Sequence, residues 1–316
     1  MIWLWIIIGI AAFAGISFAG MFFATKPIGR KLYDAMLRRS DPDMWQRANS
    51  CPENEEQCVM YDAGMAWAAE NAAFMREVSV TNDSLRLAGE YYDFGFRRAA
   101  IIIPGRAETL NYSYYFAHPY KEAGCNVLVI DPRAHGLSEG SCSTVGVRES
   151  RDVLAWARLL HDDLGNSEVY LHGICIGACT AVLAAASEAA PGYLSKIAVE
   201  GPYTTFYEIF RQRTKNQGHP AFPLMLHIRA LMKKHAGADM KTEAAPVKKI
   251  GGVHIPMLVM YSRMDTAVPE KRAKQVIAAC DPAHTRVVWF DKGDHSHIRV
   301  NNTAAYDSAV ISFING

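Results

Sequence analysis

The chain passes from a short apolar strand into a helix through Gly173-Ile174-Cys175-Ile176-Gly177, a sequence that few backbone geometries accommodate. Upstream, Ser167-Glu168-Val169-Tyr170-Leu171-His172 reads as strand; downstream, Ala178 to Ala186 is small and apolar and reads as helix. So sharp a turn holds its central residue in a strained conformation, with the side chain projecting above the sheet. The flanking glycines leave room for neighbouring backbone. The spacing makes Cys175 the candidate nucleophile, with a thiol where a hydroxyl usually stands.

The rest of the chain has the rhythm that such a turn requires. Residues 76–80 and 84–91 alternate around Asn82-Asp83 and predict a β-hairpin at the front of a sheet. Apolar strands follow at 99–103, 126–130, 196–200, 257–261 and 286–290. Between or after them lie helical stretches at 112–123, 147–160, 270–279 and 303–313. Unbroken apolar strands separated by helices predict an α/β fold, a mostly parallel sheet covered on both faces. Residues 202–249 interrupt the rhythm with aromatic and basic residues, and are expected to form a helical lid.

In a sheet of this kind functional residues gather at the carboxyl ends of strands. Asp265 follows the strand Met257 to Tyr261, and His295 follows the strand Arg286 to Phe290. A nucleophile needs a base and the base an orienting acid, and the order Cys175, Asp265, His295 supplies them in sequence. His297 competes with His295, which the spacing from Gly293 favours; Glu200, also at a strand end, is the reserve acid. The backbone N–H of Ile176 and one near Arg106, in Pro104-Gly105-Arg106-Ala107-Glu108-Thr109, are the expected oxyanion donors. Arg106 is also placed to bind a carboxylate or phosphate on a substrate. No metal-ligand spacing such as H-E-x-x-H occurs, and no cofactor is expected.

Ile2 through Phe23 carries no charge and is long enough to cross a hydrocarbon layer as a helix. Nothing basic precedes it, as a signal peptide's n-region would, so a retained single-pass anchor is expected over residues 1–25. Lys26, Arg30, Lys31, Arg38 and Arg39 follow it and predict a cytoplasmic domain at the cell membrane. A short amphipathic helix through Leu32, Met36 and Leu37 would let these cations grip headgroups. Residues 26–75 then form a membrane-proximal connection and 76–316 the main domain. Seven cysteines, an odd count without repeated spacing, suit a reducing compartment, although Cys51 and Cys58 are close enough to pair if the domain is exported. A net charge of +1 argues against a nucleic-acid partner. Cys175 and Cys179 share a helix face without forming C-x-x-C, which makes a redox role a minor alternative.

Over residues 76 to 316 the chain resembles the α/β-hydrolase superfamily. The resemblance rests on Pro104 to Glu108, on Asp131-Pro132-Arg133-Ala134-His135-Gly136-Leu137-Ser138-Glu139-Gly140, on the cysteine turn, on Asp265 with Val268-Pro269, and on His295. The Pro104 stretch is similar to one in lysophospholipases and monoglyceride lipases. The layout resembles membrane-anchored bacterial members of the superfamily, and dienelactone hydrolases are the relatives with a cysteine at the turn. The resemblance implies that Asp131 to Gly140 shapes a loop near the site without catalysing. Together the residues and the resemblance lead to the expectation of a membrane-anchored hydrolase of esters, lactones or thioesters. It would act on a small acyl substrate, lipid-derived ones included, through Cys175, His295 and Asp265. The contrasting expectation is a catalytically inactive, membrane-tethered binding protein that kept the pocket.

Overall fold

The computed structural model describes residues 2–41, 43–49, 54–216, 218 and 220–316. Its strands are β1 (Met75–Asn82), β2 (Leu85–Tyr92), β3 (Arg98–Ile103), β4 (Cys125–Ile130), β5 (Glu168–Ile174), β6 (Leu194–Glu200), β7 (Met257–Ser262) and β8 (Thr285–Phe290). They form one sheet in the order β1-β2-β4-β3-β5-β6-β7-β8. Only β2 runs against its neighbours; the pairs from β4 through β8 are parallel. The helices are α1 (Ile2–Leu37), α2 (Glu55–Glu70), α3 (Leu110–Ser113), α4 (His118–Glu122), α5 (Glu149–Arg158), α6 (Ile176–Ala185), α7 (Phe206–Asn216), α8 (Leu224–Ala236), α9 (Glu270–Ile277), α10 (Ile298–Asn301) and α11 (Thr303–Asn315).

Successive side chains of a strand point to opposite faces, so each apolar strand feeds two cores. Ile101, Ile103, Leu128, Leu171 and Val199 join a core with α5, α6, α8 and α9. Ala100, Ile102, Val127, Tyr170 and Met260 join a second core with α2 and α11. The chain adds β4 on one side of β3 and β5 on the other. That reversal opens a crevice beyond the carboxyl ends of β3 and β5, where open α/β sheets hold their ligands.

Two expected helices differ in detail. The stretch 112–123 is broken into α3, a tight turn at Tyr114–Phe116, and α4. Pro119 explains the break, since it has no N–H to offer the carbonyl of Tyr115 four residues earlier. Arg299 donates to that carbonyl instead. The helix at 147–160 begins at Glu149 and ends in a wider turn at Leu159–Asp163. Between β6 and β7 the insertion holds α7 and α8. Cys51 lies outside the described residues, as therefore does its pairing with Cys58.

The N-terminal helix does not stop at residue 25. α1 continues across Pro27 to Leu37, and Tyr33 and Leu37 are fully buried in the first core, with Leu32 and Met36 packed against it. The apolar face expected to lie on headgroups is thus turned toward the domain. Its preceding apolar window is long enough to cross a bilayer and contains no buried residue.

Arg47, in the connecting region, holds that region to the sheet. Its guanidinium donates to Asp131 and Glu90, each at 2.8 Å, and the Asp131 carboxylate has no exposed surface. Asp131 also accepts the backbone N–H groups of Leu110 and Leu137. Removing one partner of a buried ion pair leaves the other charge uncompensated, at about 3–5 kcal/mol. Arg47→Ala in the full chain should therefore lower unfolding free energy by about that amount in denaturant titrations; a loss below about 1 kcal/mol would mean that the clamp does not hold the connection.

Candidate active site

The site begins with two close approaches of backbone. A Cβ on Gly177 would sit 2.1 Å from the carbonyl oxygen of Ile103, and one on Gly173 would sit 2.2 Å from that of Gly177. No side chain fits in either place, so β3, β5 and the start of α6 press together there. Cys175, at the point of the turn, has φ 54° and ψ −108°, a conformation costly for a residue with a side chain. It is part-exposed and precedes the first turn of α6, whose unpaired N–H groups begin with Ile176.

Asp265 and His295 meet across two loops. Nδ1 of His295 lies 2.8 Å from Oδ2 of Asp265, a carboxylate buried almost completely. The other carboxylate oxygen accepts the N–H groups of Ala267 and Val268, at 2.9 and 2.6 Å. Burial works against this charge, but the imidazole and the two N–H groups outweigh it and hold the carboxyl below its usual range. For His295, burial alone would disfavour the charged ring. The Asp265 carboxylate and Cys175 reverse that and push it well above the ordinary histidine range. Its Nε2 is buried and makes no well-formed hydrogen bond, and Cys175 is close enough to act on the ring. The arrangement leaves an oriented imidazole with one free nitrogen beside a thiol.

The competing residues are occupied elsewhere. Nδ1 of His297 pairs with Glu56 of α2 at 2.8 Å. Glu200 accepts from the hydroxyl of Tyr306 at 2.7 Å rather than from His295. Cys179 is buried, and burial pushes its thiol up to about 12, which keeps it protonated and ill-suited to redox exchange. The Asp131–Gly140 loop is tied inward: Arg133 chelates Asp152 at 2.6 and 2.7 Å, and His135 stacks on Trp45 at 4.4 Å.

A cavity of about 740 Å³ opens over Cys175 and is lined by Arg106, Ile176, His295, Tyr112 and the α7 residues Phe206, Ile209, Phe210 and Arg213. Ala35 and Met36 of α1 and Trp45 also line it, and no local sequence pattern marked these three as pocket residues. Gly201 was missed as well. With φ +59°, it lies under the ring: an added Cβ would meet Cε1 of His295 at 3.0 Å and Nδ1 at 3.2 Å. Its position directly after the end of β6 is the signal that could have found it.

With this geometry in view, comparisons place the chain among known proteins. A family model described as alpha/beta hydrolase fold matches residues 100–217. The esterase Pf2001 of Pyrococcus furiosus superposes with a TM-score of 0.65 at 19% identity, over 78% of this chain and 93% of that one. The chain has the α/β-hydrolase fold. An alpha-beta hydrolase from Vibrio vulnificus aligns over 92% of this chain and 93% of its own, with a TM-score of 0.61 at 19% identity. The uncharacterized protein YqkD of Bacillus subtilis (strain 168) is 26% identical over 216 residues, 68% of this chain and 70% of that one. The strand-end loops that carry Cys175, Asp265 and His295 are where this fold presents its reactive groups.

A second buried network backs the site. The Tyr120 hydroxyl lies 2.7 Å from Nδ1 of His172, whose Nε2 lies 3.1 Å from the Tyr306 hydroxyl, which in turn donates to Glu200. The other carboxylate oxygen of Glu200 has no well-formed bond. Burial pushes this carboxyl up from 4.5 to about 7, against smaller opposing effects of Tyr306 and His295. The folded chain therefore holds the proton more tightly than the unfolded one, so its contribution is favourable at low pH and declines as pH rises to about 7. The decline should amount to about 3 kcal/mol. Glu200→Gln should remove that slope from unfolding free energies measured between pH 4.5 and 7; an unchanged slope would show that Glu200 is ionised throughout.

Proposed function

We propose that this chain is a membrane-anchored hydrolase of activated acyl bonds, with Cys175 as nucleophile, His295 as base and Asp265 as orienting acid. The observation that carries the reading is the imidazole fixed on Asp265 at 2.8 Å with its second nitrogen free beside Cys175. Nε2 takes the thiol proton as sulfur attacks the acyl carbon. The N–H of Ile176 and one near Arg106 hold the oxygen that becomes negative, each worth about 3 kcal/mol of barrier. Collapse expels an alcohol or thiol, which takes the proton from His295, and leaves a thioester on Cys175. Water, deprotonated by His295, attacks the thioester, and the acid departs as the thiol is restored.

The choice of sulfur narrows the substrate. A thiolate leaves the tetrahedral adduct more readily than an amine, so simple amides revert while esters, lactones and thioesters go forward. In this reading α7 and α8 serve as a lid, and Phe206 and Phe210 of α7 give the cavity an aromatic wall that suits an acyl chain, including one drawn from lipid. The uncharged stretch of α1 is the retained anchor, with the basic residues after it on the cytoplasmic side.

Cys175→Ala should reduce hydrolysis of a short activated ester by roughly 10⁴-fold or more. It should also abolish iodoacetamide labelling at this position. Asp265→Asn should lower turnover while leaving the thiol alkylatable, because it removes the charge that holds the imidazole. Turnover untouched by Cys175→Ala would remove sulfur from the chemistry; no turnover in the wild type, with ligand binding kept, would make the chain a tethered binding protein.

A further inference from the structure

α1 and α8 run side by side in the same direction. Phe18 stacks on Phe222 at 5.7 Å, and Phe22 meets His227 at 4.3 Å. Nε2 of His227 is 2.9 Å from the carbonyl oxygen of Phe22 and 3.3 Å from the Thr25 hydroxyl. Farther along, a Cβ on Gly29 would lie 2.8 Å from Cβ of His227, and Tyr33 meets His235 at 5.7 Å. Both helices change character in step. α1 is uncharged to Phe23 and basic at Lys26, Arg30 and Lys31. The partner strip begins with Pro220-Ala221-Phe222-Pro223-Leu224-Met225-Leu226, without a charge, and ends with Lys233 and Lys234.

Phe222 is thus level with Phe18, five residues inside the uncharged stretch, or about 7 Å along the helix axis. Leu224 and Met225 point into the core, whereas Phe222 and Leu226 are 54% and 40% exposed. We propose that this exposed edge, Phe222 with Leu226, lies in the apolar boundary of the same lipid bilayer that α1 enters. The inference rests on the reading of α1 as a retained anchor. It adds that the insertion walling the site touches the membrane itself. Among the described residues of the strip, the polar side chain nearest that level, His227, is satisfied by the Phe22 carbonyl and does not oppose immersion. The basic ends of the two helices fall on the headgroup side, where cations are favoured.

The full chain in phosphatidylcholine and phosphatidylglycerol vesicles tests this with two carbene-generating probes, one on a lipid acyl chain and one soluble in water. Digestion and mass spectrometry then locate the adducts. Leu137 and Met264, 53% and 60% exposed and outside the α1–α8 strip, are internal references. The expected result is lipid-borne label on 2–23 and on the 220–226 peptide, the latter protected from the aqueous probe, with the reference peptides showing the reverse. Lipid-borne label on 2–23, with 220–226 behaving like the references, would overturn the proposal and leave the anchor intact. No lipid-borne label on 2–23 would overturn the anchor and the proposal together.

Discussion

The structure depends on the contact between the Ile103 carbonyl and the backbone at Gly177. Because no Cβ separates them, β3 and the first turn of α6 lie closer than any other pair of residues would allow. Two consequences follow. The turn between β5 and α6 has to be abrupt, which drives Cys175 to positive φ and lifts its thiol off the sheet. The loop leaving β3, with Arg106, is brought over the N-terminus of α6 and becomes a wall of the same cavity. A single steric constraint therefore places the candidate nucleophile and both candidate oxyanion donors.

Electrostatics at this place is arranged to keep like charges from accumulating. Asp265 is ionised and repaid by two N–H groups and an imidazole, so its charge survives burial. Glu200, close enough to feel both His295 and Asp265, takes the opposite course and is held near neutrality by burial. A second full negative charge at that point would raise the His295 ring further and make it slower to return its proton to a departing alcohol or thiol. The protonation of Glu200 thus bears on the base strength of a residue that it does not bond.

That Cys175, Asp265 and His295 come together was legible in the sequence because each stands directly after an apolar strand, and strand order does the rest. The parallel sheet was legible for the same reason: each strand is a compact apolar run. What escaped depends on partners far apart in the chain. Arg47 meets Asp131 across 84 positions, and Tyr306 meets His172 across 134, with no periodicity to announce either. The contribution of Ala35 and Met36 to the cavity was hidden because α1 reads as anchor and ending, whereas its last turns are core. The broken helix at 112–123 was foreseeable from Pro119; the arginine that satisfies the freed carbonyl was not.

The end of β6 shows why three separate loops come to share one geometry. The Glu200 carbonyl accepts the N–H of Cys175 at 3.1 Å, and the next N–H, that of Gly201, donates to Met260 at 2.9 Å. One peptide segment is thereby fastened to the thiol turn on one side and to the strand bearing the Asp265 loop on the other. Gly201 has no side chain, so the ring of His295 can settle over it and reach Asp265. The side chain of Glu200 meanwhile reaches Tyr306 in α11, next to α10 and the loop that carries His295. Strain at Cys175 persists because Glu200, which receives its N–H, and the adjoining Gly201 also support its partners, so relaxing the turn would disturb all three at once.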